Sequence, residues 1–424
     1  RKDGPVNGSK PFPPHHHPPI PPLTPMRTDH FLFITAFTMD FCTALVSFAV
    51  PLVALSLGAS IVELGLIGTT GTLAFTLACS FTGKLADRYD RRRLMGISSI
   101  ATAIVFMSLI FASSFWELLI GATLGWGLMA LFWPALQATL AEGRNQAQLV
   151  KTLGMFNMFW TIGFMCGPLF GGYLYAIHPR LAFTVGMAGM ALLSLAIFFM
   201  RFKPADVQKE EPLPDTHKSG DTARFRTMAW IASFSAFFMV GILNNQFPKL
   251  AAELLIRPEV LGVLLAIPRF AQFLVFLLVR YTTRWKFRLM PLIIPQILAI
   301  IGMVIVTTQD TPMVLGLAFG TIGLLVGASF SASQFYSFFQ EERKGERGAR
   351  NEMIIGMGMV SGPFVGGLLA QNVGLRAPYV LCCVVLVTAM LLEYRLYRKK
   401  VRNDEARSDT SGFQRTSYNN ETPE

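Results

Sequence analysis

The chain has 424 residues, of which 52% are hydrophobic and only 15% charged. That excludes an ordinary soluble fold and points to many membrane spans. The net charge of +11 would suit a nucleic-acid partner, but the placement of the cations excludes that reading.

Twelve apolar runs lie at roughly 31–57, 61–82, 94–114, 116–140, 150–176, 180–201, 226–248, 259–280, 288–307, 312–339, 352–372 and 376–397, each near or above the ~20 residues that cross a hydrocarbon core. The predicted fold class is therefore an all-α membrane protein of twelve transmembrane helices, with both tails on one side. With both termini in the cytoplasm, the loops facing it hold 21 Lys and Arg. The opposite loops hold four: Arg180, Lys249, Arg257 and Arg376. This asymmetry is the positive-inside pattern, so the partner of the basic surface is the lipid bilayer and not nucleic acid.

Residues 1–30 are rich in proline and carry His15, His16 and His17, which predicts a polyproline-like or flexible cytoplasmic tail. The first apolar run is too long for a cleavable signal. It contains Asp40 about nine residues in, near mid-depth at ~1.5 Å per residue. An ionisable group there is costly and is read as functional, with a purely structural carboxyl as the alternative.

The loop from Gly83 to Met95 reads Gly83-Lys84-Leu85-Ala86-Asp87-Arg88-Tyr89-Asp90-Arg91-Arg92-Arg93-Leu94-Met95. Asp87 can accept bonds from nearby arginines and from a helix N-terminus. In this loop the sequence resembles the major facilitator superfamily, whose pattern is matched by Gly83, Leu85, Ala86, Asp87, Arg88, Arg91, Arg92 and Met95. Asp90 stands where that family has a second glycine. The resemblance implies two six-helix bundles that rock against each other, and a latch on the cytoplasmic side built from Gly83, Asp87, Arg88, Arg91 and Arg92. The matching loop of the second half, Arg280 to Arg288, keeps its charge but has Leu278 and Thr282 opposite Gly83 and Asp87. It is expected to anchor rather than latch.

The fourth run carries Trp126, Trp133, Pro134 and Gln137, with Trp133 and Gln137 as candidates for a central cavity. Many proton-driven members of the resembled family have an arginine early in this helix; Gly121 stands there. In the fifth run Gly154, Gly163, Gly167, Pro168, Gly171 and Gly172 fit a pattern seen in that family's exporters. The spacing returns 195 residues later at Gly358, Gly362, Pro363, Gly366 and Gly367, with Ala349 opposite Gly154. Glycines four apart let a second helix approach closely in lipid, and a proline removes a backbone bond and bends the helix. Two copies at equivalent places predict two halves packed face to face.

Residues 203–224 are polar and read as a cytoplasmic linker between bundles at 31–202 and 225–398. The seventh run ends in Asn244, Asn245 and Gln246, amides that either line a pathway or bond helix to helix. The eighth holds Arg269, also near mid-depth. Asp40 and Arg269, one per half, are expected to share a wet cavity, either pairing in one state and parting in another, or dividing a proton and an anionic substrate between them. Asn157, Gln296 and Gln334 are expected to make helix contacts. Residues 399–424 are charged and aperiodic, which predicts a disordered tail.

No catalytic set, metal spacing or phosphate loop stands out, so no enzyme activity, cofactor or metal is expected. Cys42, Cys79, Cys166, Cys382 and Cys383 all lie in apolar runs and read as small hydrophobes. The resemblance implies a monomeric, multi-pass transporter of the cell's inner or plasma membrane that works by alternating access. Its partners are a small-molecule substrate and protons, and the fifth-run pattern favours proton-coupled efflux of amphipathic organics. Two alternatives stay open: uptake or facilitated diffusion of a small anionic metabolite, and a non-transporting receptor or assembly factor working through its tails.

Overall fold

The computed structural model describes residues 28–142, 146–200, 219–282, 284–339 and 344–418. Within them the chain forms α1 (Thr28–Ser56), α2 (Ile61–Arg88), α3 (Arg91–Phe111), α4 (Phe115–Ala141), α5 (Gln146–Ile177) and α6 (Leu181–Phe199). The second half forms α7 (Ser219–Glu253), α8 (Pro258–Tyr281), α9 (Met290–Thr308), α10 (Pro312–Phe338), α11 (Lys344–Asn372) and α12 (Ala377–Tyr418). All twelve are long and apolar enough to cross a membrane.

Local chemistry sets the helix ends. Ser60 and Glu63 form a reciprocal capping box at the start of α2, with Ser60 N donating to Glu63 Oε2 at 2.6 Å and Glu63 N to Ser60 Oγ at 3.3 Å. Ser114 caps α4. Asp90 caps α3 by accepting from Arg92 N at 2.9 Å, with φ −59°. The turn before α3 therefore needs no glycine, and the aspartate at that position stabilises the helix it precedes. Prolines open α8 and α10, where no intrahelical donor is lost.

Helix pairing repeats when six is added to each helix number. Helix α1 packs on α5 and α6, α2 on α4, and α3 on α4 and α6; α7 packs on α11 and α12, α8 on α10, and α9 on α10 and α12. Two six-helix bundles related by pseudo-symmetry follow. One apolar core is drawn almost wholly from α1 to α6, and two others mainly from α7 to α12. The halves meet chiefly through α5 on α8 and α2 on α11, which are also equivalent pairs.

The proline-rich segment 1–27 and most of the expected linker, 201–218, lie outside the described residues. Helix α7 already begins at Ser219, inside the segment read as linker, with Asp221 in its first turn, where an acid complements the helix dipole. Helix α12 continues to Tyr418, through a stretch where composition alone predicts disorder.

Candidate functional site

Asp40 falls near the middle of α1 and is 2% exposed. Arg269 falls near the middle of α8, and adjacent residues of α5 meet both: Gly163 lies against Asp40, and the Phe164 ring lies under Arg269. Folding thus brings one acid and one base, far apart in the chain, into one region. Arg269 Nη1 donates to Gln272 Oε1 at 2.9 Å, and its guanidinium lies 5.1 Å from the ring centroid of Phe164 on α5. A cation over an aromatic face in a desolvated setting is held by the ring quadrupole. Gln272 is fully buried, and its Nε2 has no hydrogen-bond partner among the described residues.

A cavity of about 110 Å³ opens beside this pair, lined from α1, α2, α3, α4, α5, α7, α8 and α11. Arg269, Asn244 and Asn245 face it from the second half. Thr43, Ser47 and Thr72 supply hydroxyls, while Phe106, Trp126 and Phe164 supply aromatic wall. Among its described lining residues Arg269 carries the one formal charge. Asp40 is buried and is not among the residues lining it.

The polar candidates separate by helix face. Asn244 is exposed to the cavity. Asn245 also lines it, and its Nδ2 donates to Gly241 O at 2.9 Å. A Cβ on Gly68 of α2 would collide with the Asn245 amide, so that glycine makes room for it. Gln246 points elsewhere, its Nε2 donating to Pro363 O of α11 at 2.8 Å. On α4 it is Trp126, two turns from Trp133, that meets the cavity; Gly71 clears space for its ring. Trp133 packs edge-on against Phe132 and Phe156, and Gln137 is exposed away from the lining. Asn157 Nδ2 donates to Gln334 Oε1 at 3.0 Å, a polar tie between the halves.

The repeated glycines make two equivalent seams. A Cβ on Gly163 would stand 2.6 Å from Phe37 O and 3.1 Å from Asp40 Cβ, and one on Gly167 would stand 2.7 Å from Leu45 N. A Cβ on Gly171 would press on Phe48, so α5 lies backbone to backbone on α1. In the second half Gly358 and Gly362 meet the backbone of Phe234 and Phe238, and Gly366 meets Ile242, so α11 lies the same way on α7. The ends of both runs cross to the other half. Gly172 meets Pro258 and Glu259 of α8, and Gly367 meets Ile61 and Val62 of α2. Pro168 O and Pro363 O lie against Gly262 and Gly65 in turn. A Cβ on Gly154 would meet nothing within 4 Å beyond its own helix, so among the described residues this glycine packs against no second helix.

Gly83 and Asp87 end α2, but the Asp87 side chain lies outside the described residues. Arg91 Nη1 reaches Glu142 Oε2 at 3.1 Å and Ala138 O at 3.3 Å, and Arg92 Nη1 reaches Met200 O at 2.9 Å. These three partners belong to the first half. Arg88 is exposed. In the second half the corresponding loop is held by aromatics: Phe287, at φ 54°, donates its N–H to Tyr336 Oη at 2.7 Å, and Lys286 Nζ lies 4.5 Å from the Phe335 ring centroid. Burial lowers the Lys286 pKa below the ordinary lysine range.

Sequence reasoning missed a second buried carboxyl. Glu393 on α12 is fully buried, and both its oxygens accept from Gln296 Nε2 of α9, at 3.0 and 2.8 Å. Phe164 also escaped notice, because it has no signature beyond its place beside a glycine.

The family model described as the Major Facilitator Superfamily matches residues 32–338 and 229–419. The chain is 26% identical over 347 residues to the multidrug resistance protein MdtG of Enterobacter lignolyticus, covering 77% of this chain and 79% of that protein. It is 25% identical over 358 residues to MdtG of Salmonella arizonae, covering 80% and 87%. Among solved structures, a bacterial homologue of the human lysosomal transporter Spinster, inward-facing and unoccupied, superposes with TM-score 0.71 at 17% identity, over 88% of this chain and 97% of that one. The nucleoside transporter NupG gives TM-score 0.65 at 14% identity, over 88% and 99%. At these identities the structural likenesses speak for the fold alone.

Proposed function

The chain belongs to the Major Facilitator Superfamily, and on that premise we propose that it exports small amphipathic organic compounds by alternating access, coupled to protons. It is a multi-pass integral membrane protein and a secondary transporter. The observation that carries the proposal is the cavity between the halves, with a base from one half in its wall and a buried acid from the other half close by. Adding a proton to Asp40 changes by one the charge that Arg269 must balance, and a cavity whose charge follows protonation is what coupling requires. The MdtG relatives support the direction and the class of compound.

Rocking needs firm seams within each half and a dividing surface between them. The glycines of α5 and α11 supply both, since each run grips its own first helix and then touches the opposite bundle. Arg91 and Arg92 tie the basic loop to α4 and α6, so the loop travels with the first half, and Asp87 is the residue we assign to latching against the second. The charged loops support both termini in the cytoplasm and a plasma- or inner-membrane setting, and the complete cavity within one chain supports a working monomer.

One experiment tests the core of this. Reconstituted protein is loaded with a fluorescent amphipathic dye, and dye movement is followed with an imposed pH gradient in either sense. Proton-coupled movement that Asp40→Asn makes indifferent to the gradient supports the reading. Movement that ignores the gradient in the parent chain overturns the coupling, and no movement of any compound overturns transport. The second reading, uptake of a small anionic metabolite, is favoured by Arg269 facing the cavity, and the same vesicles with the substrate outside distinguish it.

A further inference from the structure

We propose that the cavity selects amphipathic organic anions: compounds with a single carboxylate or comparable oxyanion on an aromatic body, with Arg269 as the group that recognises the charge. This rests on the transport reading above and adds the sign of the substrate's charge. Three observations carry it. First, Arg269 is the one formally charged side chain among the described residues lining the cavity, and the acid that balances it, Asp40, is buried behind the wall rather than in it. A compound entering therefore meets positive charge before negative. Second, the donors near Arg269 outnumber the acceptors offered to them. The guanidinium has five donor sites, and the hydrogen bond found for it goes to Gln272 Oε1. Gln272, which takes that bond, is fully buried and does not line the cavity, so what enters the cavity meets the guanidinium rather than the glutamine. Asn244 is exposed to the cavity with a further amide. Such a set is completed by a ligand that brings acceptor oxygens, and a carboxylate matches the planar fork of arginine bidentately.

Third, the rest of the wall is aromatic. Trp126 and Phe164 line the same cavity, and Phe164 lies against the guanidinium. An aryl carboxylate satisfies both surfaces, its ring on the aromatic side and its oxyanion on Arg269. A quaternary ammonium of the same shape would bring like charge to Arg269 in a low-dielectric space, where repulsion is weakly screened.

The test uses three compounds of one shape: 2-naphthoate, 2-naphthamide and (2-naphthylmethyl)trimethylammonium. Binding to the purified full-length chain is read by quenching of tryptophan fluorescence, and transport by movement of each compound in proteoliposomes. The carboxylate is expected to bind about tenfold or more tighter than the neutral amide, as fits a charge-assisted hydrogen bond, and the ammonium weakest of the three. In Arg269→Gln the carboxylate should fall to the level of the amide, while Arg269→Lys keeps the order. Ammonium binding equal to or tighter than carboxylate binding in the parent chain overturns the proposal without need of a variant. So does failure of all three to bind, or a carboxylate preference that survives Arg269→Gln. Transport separates the two readings: an amide that moves while the carboxylate neither binds nor moves leaves transport standing and removes the charge assignment. A carboxylate that binds selectively but is never moved does the reverse.

Discussion

Gly163 of α5 lies so close to Asp40 of α1 that a methyl group on the glycine would stand 3.1 Å from the aspartate Cβ. The glycine therefore fixes where the buried carboxyl sits. Gly163→Ala must move α1, shift the Phe37 carbonyl, or both. Overpacking of this kind costs about 1–3 kcal/mol. The expected result is a lower melting temperature in detergent together with a marked fall in transport. Gly154→Ala is the contrasting case, because open space surrounds that position and alanine is the better helix former by about 1 kcal/mol. It should leave stability equal or higher and transport near the parent level, measured in the same two assays.

Asp40 and Arg269 are expected to be coupled in a double-mutant cycle. Arg269→Gln removes the cation nearest the buried Asp40 together with its own contacts to Gln272 and Phe164, so the melting temperature should fall. Asp40→Asn together with Arg269→Gln should recover much of that stability while abolishing proton coupling. A double variant whose loss in thermal unfolding equals the sum of the two single losses would remove the coupling.

The two tryptophans of α4 should behave differently. Trp126→Leu takes a ring from the cavity wall, so it should weaken substrate binding several-fold with little change in stability. Trp133→Leu removes edge-on contacts with Phe132 and Phe156, worth about 0.5–1.5 kcal/mol beyond the area lost, and should mainly lower the melting temperature. A dissociation constant and an unfolding midpoint for each variant check the division.

At the second basic loop, Tyr336→Phe removes the acceptor for the Phe287 N–H, in a segment already at positive φ. The loss should be about 1 kcal/mol. Faster hydrogen exchange at residues 284–289, with the first half unaffected, is the expected signature.

Much of this protein follows from the chain as a string. A run of apolar residues spans a bilayer whatever its neighbours do, so the twelve helices are a local property, and so is the excess of cations on alternate loops. The repeat at Gly163 and Gly358 also declared the two-fold plan, because close helix contact demands glycine at those positions and leaves a visible spacing. Asp40 and Arg269 stood out because a charge at mid-span is rare enough to need a reason. Packing alone decided the rest. Asn245 and Gln246 are neighbours on one helix, yet one meets the cavity and the other the Pro363 carbonyl, since successive side chains are turned by about 100° and only a neighbouring helix settles which turn faces inward. Trp126 and Trp133 share a face two turns apart, so only the depth of the cavity along α4 decided which ring meets it, and folding brought Arg91 and Arg92 to Glu142 and Met200, far along the chain. Composition measures how much of a helix is apolar; the face it turns to a cavity exists only once the other helices are in place.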